Sequence, residues 1–407
     1  LKMQRIALLD KLMNWFESSK KLECTFPPDS NFRINVIRED NKQFSIFTEG
    51  EKFSIENLEP YKYRFVFEGY GYQISQYEFD LKKYDVCQLE LHPEKSPLYD
   101  INISLKDIDL DHAFANVFYM GKSINITEFN TKNVLTLSLP FGYFEILIVA
   151  KEFTPKVIRA KVDNSSNLNF EINMEKNPKK VLFVDDTQTG DFIIDNYLRI
   201  GDVYTKTLSM SKINYDVWVV SKDGKPVFFN YLPYNTVLYV TGRNSNSLYK
   251  KEDRDEIAKY LNYGGNIALC GNTFHLIMRD EKYMEDYFGI IEKDSNIRES
   301  TLIGSAATKF SGLVFDLYDP LVDGTTYITY PAFEPSKNGV TPLFKYLNSG
   351  EISTMLYEDG KFNSILMPFG IENVYSSEIR QKIIIGLVYT LSGEDKILSN
   401  ICYKPEN

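Results

Sequence analysis

The sequence predicts a multidomain chain: two all-β sandwich modules followed by an α/β domain built on a doubly wound parallel sheet. Three observations predict it. Residues 22 to 177 are dominated by short runs in which apolar and polar residues alternate, the period of half-buried strands. That stretch contains a copy of itself. From Asn177 onward, apolar runs are separated by segments with helical spacing, the pattern of strands joined by crossover helices.

Size and composition are compatible with this plan. A chain of 407 residues exceeds one ordinary core, and at 43% hydrophobic and 14% aromatic it can bury several. The net charge is −10 with both signs interspersed, so no basic face exists for nucleic acid or an anionic membrane. No run approaches the ~18 apolar residues of a membrane span, and no signal peptide is visible. The four cysteines, Cys24, Cys87, Cys270 and Cys402, form no CxxC pair, so no zinc site and no metal or cofactor is expected. A Cys24–Cys87 disulfide is conceivable in an exported protein. The three histidines, His92, His112 and His275, restrict any mechanism that needs imidazole.

The opening segment, residues 1–21, places Ile6, Leu8, Leu9, Leu12, Met13 and Phe16 on one helical face. The same spacing recurs 375 residues later, from Arg5 and its apolar followers to Arg380, Ile383, Ile384, Leu387, Val388 and Leu391. This predicts an amphipathic helix that ends a preceding α/β domain. The chain is then the C-terminal portion of a longer polypeptide, whose upstream domains are its first partners.

Two modules follow, at 22–95 and 96–177. LEPYKYRFVFEGYGYQISQYEFDL from Leu58 lies beside LSLPFGYFEILIVAKEFTPKVIRAKV from Leu137. Pro60 matches Pro140, Tyr63 matches Tyr143, and LEL at 89–91 matches FEI at 170–172 after one inserted residue. The repeats resemble the carboxypeptidase regulatory-like, or transthyretin-like, β-sandwich modules found in tandem on secreted proteins. That resemblance implies a spacer or binding module and no chemistry. Within this region Asp107, Asp109 and Asp111 alternate as in a calcium loop, yet His112 and Phe118 stand where Gly and Glu are needed, so an acidic strand edge is the expectation. The aromatics of YGYQISQY, Tyr70 to Tyr77, suit either a carbohydrate-stacking surface or a β core.

Residues 178–395 are the predicted α/β domain, and 396–407 a tail. VLFVDD (181–186) reads as a buried strand ending in acids, YDVWVV and TVLYVTG as further strands, Lys251 to Tyr263 as a helix and NIALC as the next strand. A bacterial receiver domain is excluded, because its phosphoacceptor position holds Thr241 and Gly242. Asp185 and Asp186 lie at the carboxyl edge of the sheet, where they either touch a ligand or cation or serve as caps.

YVTGR, the helix after it and NIALCGN are similar to the class I glutamine amidotransferase-like fold. By that resemblance Cys270 holds the nucleophile position and Gly242 lies in the oxyanion loop. The family's histidine and glutamate precede its last helix; here PFGIEN retains Phe369 and Glu372, and Gly370 replaces the histidine. A thiol with no base is only a few per cent thiolate at neutral pH. His275 lies on the segment leaving the elbow and is no substitute. The phrases YDVWVV, LNYGGNIALCG and PFGIEN resemble a branch of the superfamily found as accessory domains of large exported bacterial proteins, including secreted proteases.

The leading expectation is a non-catalytic accessory or binding region of an extracellular or cell-surface protein, partnering protein or carbohydrate. The competing readings are a cysteine hydrolase or amidotransferase using Cys270, Glu372 and Gly242, and a carbohydrate or peptide binder using the aromatic β-surface.

Overall fold

The computed structural model describes residues 20–27, 31–83, 86–106, 112–163, 168–187, 193–194, 198–242, 244, 247–248, 250–271, 280–318 and 330–393. The helix expected at the N-terminus, the three aspartates at 107–111, His275, Cys402 and the C-terminal tail lie outside these residues, except that Lys20 and Lys21 open a strand where the helix was expected to end.

Chain contacts divide into two compact units. The first comprises Leu1–Ile108, Phe114–Ile148 and Val157–Asn173, and the second Asp109–Ala113, Val149–Lys156 and Met174–Asn407.

The first unit is all β. Its strands are β1 (Lys20–Thr25), β2 (Asn31–Arg38), β3 (Gln43–Glu49), β4 (Lys52–Leu58), β5 (Lys62–Gly69), β6 (Ser75–Asp80) and β7 (Val86–Glu90), then β8 (Tyr99–Lys106), β9 (Ala113–Tyr119), β10 (Lys122–Glu128), β11 (Val134–Leu139), β12 (Gly142–Ala150), β13 (Lys156–Val162) and β14 (Asn169–Asn173). They form sheets ordered β4-β1-β7 and β3-β2-β5-β6, and then β11-β8-β14 and β10-β9-β12-β13. The second pair of sheets repeats the first strand for strand. In each module the first and last strands pair in parallel, β1 with β7 and β8 with β14.

Alternation dictates which side chains are inside. Leu22, Cys24 and Ile55 of one sheet and Phe32, Ile34, Val36, Phe65 and Phe67 of the other share one core, as a sandwich requires. The duplication is real, but its register differs from the sequence alignment by one residue. Tyr63 is buried at 4% exposure while Tyr143 is 69% exposed. The structural counterparts of Tyr63, Phe65 and Phe67 are the buried Phe144, Ile146 and Ile148, each 81 residues on. The same offset carries Leu81 to Val162 and Leu89 to Phe170. The offset is thus a constant 81 from β5 onward, and no residue is inserted between the later strands. One residue of slip would turn each strand inside out, which is why the match of Tyr63 to Tyr143 fails.

The conceivable disulfide is absent: Cys24 and Cys87 are free thiols. Leu22 is paired with Cys87 and Cys24 with Leu89. Two cysteines displaced by two residues on adjacent strands have Cα atoms about 8 Å apart, beyond the ~7 Å limit of a bridge.

The second unit contains β15 (Val181–Asp185), the short pair β16 (Ile193–Ile194) and β17 (Leu198–Arg199), β18 (Tyr215–Val219), β19 (Thr236–Gly242), β20 (Asn266–Gly271), β21 (Ile290–Ile297), β22 (Thr301–Gly304), β23 (Val314–Asp316), β24 (Tyr330–Pro335), β25 (Val340–Tyr346), β26 (Ile352–Glu358) and β27 (Asn363–Met367). Its large sheet runs β18-β15-β19-β20-β27-β26-β25-β22-β23. The first five strands pair in parallel. From β27 to β26 onward the pairing is antiparallel, a feature the sequence did not announce.

β15, β19 and β20 are almost continuously buried, because both faces of the parallel strands are covered. On one face Val181, Phe183, Val240 and Cys270 pack with Val203, Tyr204 and Leu208 of the helix Ile200–Met210 and with Ile383, Ile384 and Leu387 of the helix Ser377–Leu391. Ser376 caps the latter helix by accepting the Ile379 N–H.

Candidate functional site

The expected site residues gather at the carboxyl ends of the parallel strands. Cys270 is not on an exposed elbow. It remains in β20, paired with Val240 on one side and Met367 on the other, and it is fully buried. The unusual backbone comes one residue later. Gly271 has φ 154°, and a Cβ there would lie 1.9 Å from Thr241 Oγ1, so only glycine fits. Gly242 pairs with Gly271 and turns β19 out of the sheet in the left-handed region, with φ 53°.

Beneath this edge Glu372 is buried at 3% exposure in a 3-10 turn, Ile371–Asn373. Tyr204 Oη donates to Glu372 Oε2 over 2.9 Å and accepts the Ile371 N–H over 3.0 Å. The Tyr204 ring stacks on Phe183, with centroids 5.3 Å apart. Burial, then the nearby Glu372 and Cys270, hold the phenol far above its usual range, so it stays a neutral donor. Burial pushes the Cys270 thiol up as well, and Glu372 adds to it.

Gly370 explains why no imidazole could simply be restored. Its φ of −78° and ψ of 142° suit any residue, but a Cβ there would meet Glu372 Oε1 at 1.9 Å. The glutamate carboxylate occupies the space that a side chain at 370 needs. Cys270, Glu372 and Tyr204 thus form a packed polar cluster in which burial disfavours the thiolate.

Asp185 and Asp186 part company. Asp185 Oδ1 accepts the Thr187 N–H at 3.1 Å and its hydroxyl at 2.7 Å, and Oδ2 lies against Gly201 at the start of the helix Ile200–Met210. Asp186 is wholly buried. Its Oδ2 accepts from Tyr239 Oη at 2.8 Å, from Ser247 Oγ at 2.5 Å and from Lys225 Nζ, and its Oδ1 from Asn244 Nδ2 at 3.1 Å. β15 has β18 on one side and β19 on the other, so this is the topological switch point where open α/β sheets bind ligands. Here the Asp186 carboxylate already accepts from four of the protein's own side chains. Among the described residues no acidic, histidine or cysteine cluster could hold a metal ion.

Sequence reasoning missed Tyr204, Lys225, Tyr239, Asn244 and Ser247. Tyr204 lies 168 residues from Glu372, and no local spacing signals such a pair. The aromatics of the 70–77 segment turn mostly inward: Tyr72 packs on Phe32 and Tyr77 on Phe67, while Tyr70 meets Tyr119 at 5.6 Å.

No protein family and no curated protein matches the chain. Solved structures share limited likeness with it. The Bacillus anthracis TIE protein is 15% identical with a TM-score of 0.20, over 39% of this chain and 34% of that one. A streptococcal ancillary pilin is 11% identical with a TM-score of 0.23, over 40% of this chain and 63% of that one. A cytoplasmic protein from Salmonella typhimurium LT2 is 12% identical with a TM-score of 0.35, over 52% of this chain and 99% of that one. The chain thus spans about a third of the first and under two thirds of the second. Superpositions of this quality assign neither a fold nor a role.

Proposed function

We propose that the chain is a non-catalytic accessory or binding region of an exported or cell-surface protein. Its β-modules, 22–95 and 96–177, are the spacer or binding part. Its domain at 178–395 is a doubly wound, amidotransferase-like fold whose nucleophile position has become core. The observation that carries the reading is the Glu372 carboxylate standing where a side chain at residue 370 would go. The burial of Cys270 supports it. Protein or carbohydrate is the expected partner.

Alkylation by iodoacetamide, followed residue by residue with mass spectrometry across pH, tests the reading together with an amide- and ester-hydrolysis screen. Cys270 is expected to react only on unfolding, with no hydrolysis detected. A Cys270 that is alkylated in the native protein near neutral pH, with loss of a measurable hydrolysis, would establish the cysteine hydrolase instead.

A further inference from the structure

The duplicated modules differ where one of them should be guarded. β3 and β10 are the equivalent edge strands of their sheets. An edge leaves alternate N–H and C=O groups open to another strand, and proteins usually blunt it with charge. In the second module β10 is polar there: the neutral Asn125 and the charged Glu128 lie opposite Val117 and Phe114. In the first module the same positions, opposite Val36 and Arg33, hold Phe44 and Phe47. Phe44 is 44% exposed and Phe47 65%. From Gln43 to Thr48 there is no charge, proline or glycine, and the strand's one charged residue is its last, Glu49.

The free groups can be assigned. The Arg38 N–H donates to Lys42 O, so the even residues of β3 face β2 and the N–H and C=O groups of Gln43, Ser45 and Phe47 face outward. Charge selects what can pair there. The strand is preceded by Lys42 and ends in Glu49, with Glu51 two residues on, so a second copy running antiparallel sets lysine near glutamate at both ends. A parallel copy would set like against like. A two-fold axis through Ile46 places Ser45 opposite Phe47 and Phe44 opposite Thr48. Lys42 of one copy then reaches Gly50, beside Glu51, of the other.

We infer that β3 is a self-association edge, through which two copies of this chain join their four-stranded sheets antiparallel. An interface of one strand pair with two exposed phenylalanines per copy is small, so the dimer is a reversible one.

Sedimentation equilibrium of the full 407-residue chain over a wide micromolar range tests this. The wild type is expected to shift from monomer to dimer with concentration. Phe47→Glu, which installs the residue found in β10, is expected to weaken the dimer at least ~10-fold while the thermal transition is retained. Lys42→Glu weakens it at low salt, and the swap Lys42→Glu with Glu51→Lys restores it. A monomer at every concentration, a dimer indifferent to Phe47→Glu, or a charge swap that restores nothing would each overturn the inference.

Discussion

Tyr204→Phe is a one-atom test of the buried cluster. The hydroxyl serves two partners: it donates to Glu372 Oε2 and accepts the Ile371 N–H. Phenylalanine keeps the ring on Phe183 and fills the same space, so packing is nearly unchanged. What is lost is polar. A buried N–H without its acceptor costs about 1–3 kcal/mol, and the carboxylate loses a donor at about 1–2 kcal/mol. Taking about 3 kcal/mol in all, and about 2–4 °C per kcal/mol for a unit of this size, the melting temperature falls by about 6–12 °C. Trp218 lies in the same unit, its indole N–H bonded to Gly224 O, and its fluorescence in a Trp15→Phe background reports this transition alone. Tyr375→Phe, at a residue 76% exposed, is the matched control. If Tyr204→Phe melts within ~1 °C of that control, the hydroxyl is not holding the turn and the cluster has been misread.

Other perturbations probe the remaining features. Gly370→Ala forces its Cβ onto Glu372 and is expected to cost about 1–3 kcal/mol by denaturant titration, a cost reduced in the Gly370→Ala, Glu372→Ala pair because the clash is gone; additive losses would contradict this. Lys225→Met leaves the Asp186 carboxylate buried without its cation and is expected to lower the stability of the second unit by about 2–4 kcal/mol, with Lys225→Arg less harmful in the same titration. Burial raises the Cys24 thiol from 9.0 to about 12, so the native state holds its proton after the unfolded chain has lost it. Stability is therefore complete below pH 9 and declines as pH rises toward 12, and a native Cys24 thiolate absorbance at pH 10 would refute this.

The alternation that predicted sandwiches was legible because a strand buried on one face writes a period of two into its sequence. The repeat was legible for the same reason, but Tyr63 was matched to Tyr143 by identity, whereas burial matches it to Phe144. Identity cannot see which face a residue occupies. In the second unit the parallel strands were visible as uninterrupted apolar runs such as VLFV and TVLYV. The antiparallel half was not, since β21 is largely exposed and β22 and β23 are short. The cluster was legible only in part. Cys270, Glu372 and Gly242 stood out by motif, but the partners that decide their behaviour come from distant segments, and neither Tyr204 nor Lys225 carries any local mark.

The parallel pairing of first and last strand gives each sandwich a mechanical character. The chain comes in at one end of β1 and leaves at the opposite end of β7, and β8 and β14 repeat this. Tension along the polypeptide then slides the two strands past each other and loads the whole ladder together. An antiparallel closure would instead peel one bond at a time. Pulled from its two ends, each such module resists extension until its ladder gives way as a unit.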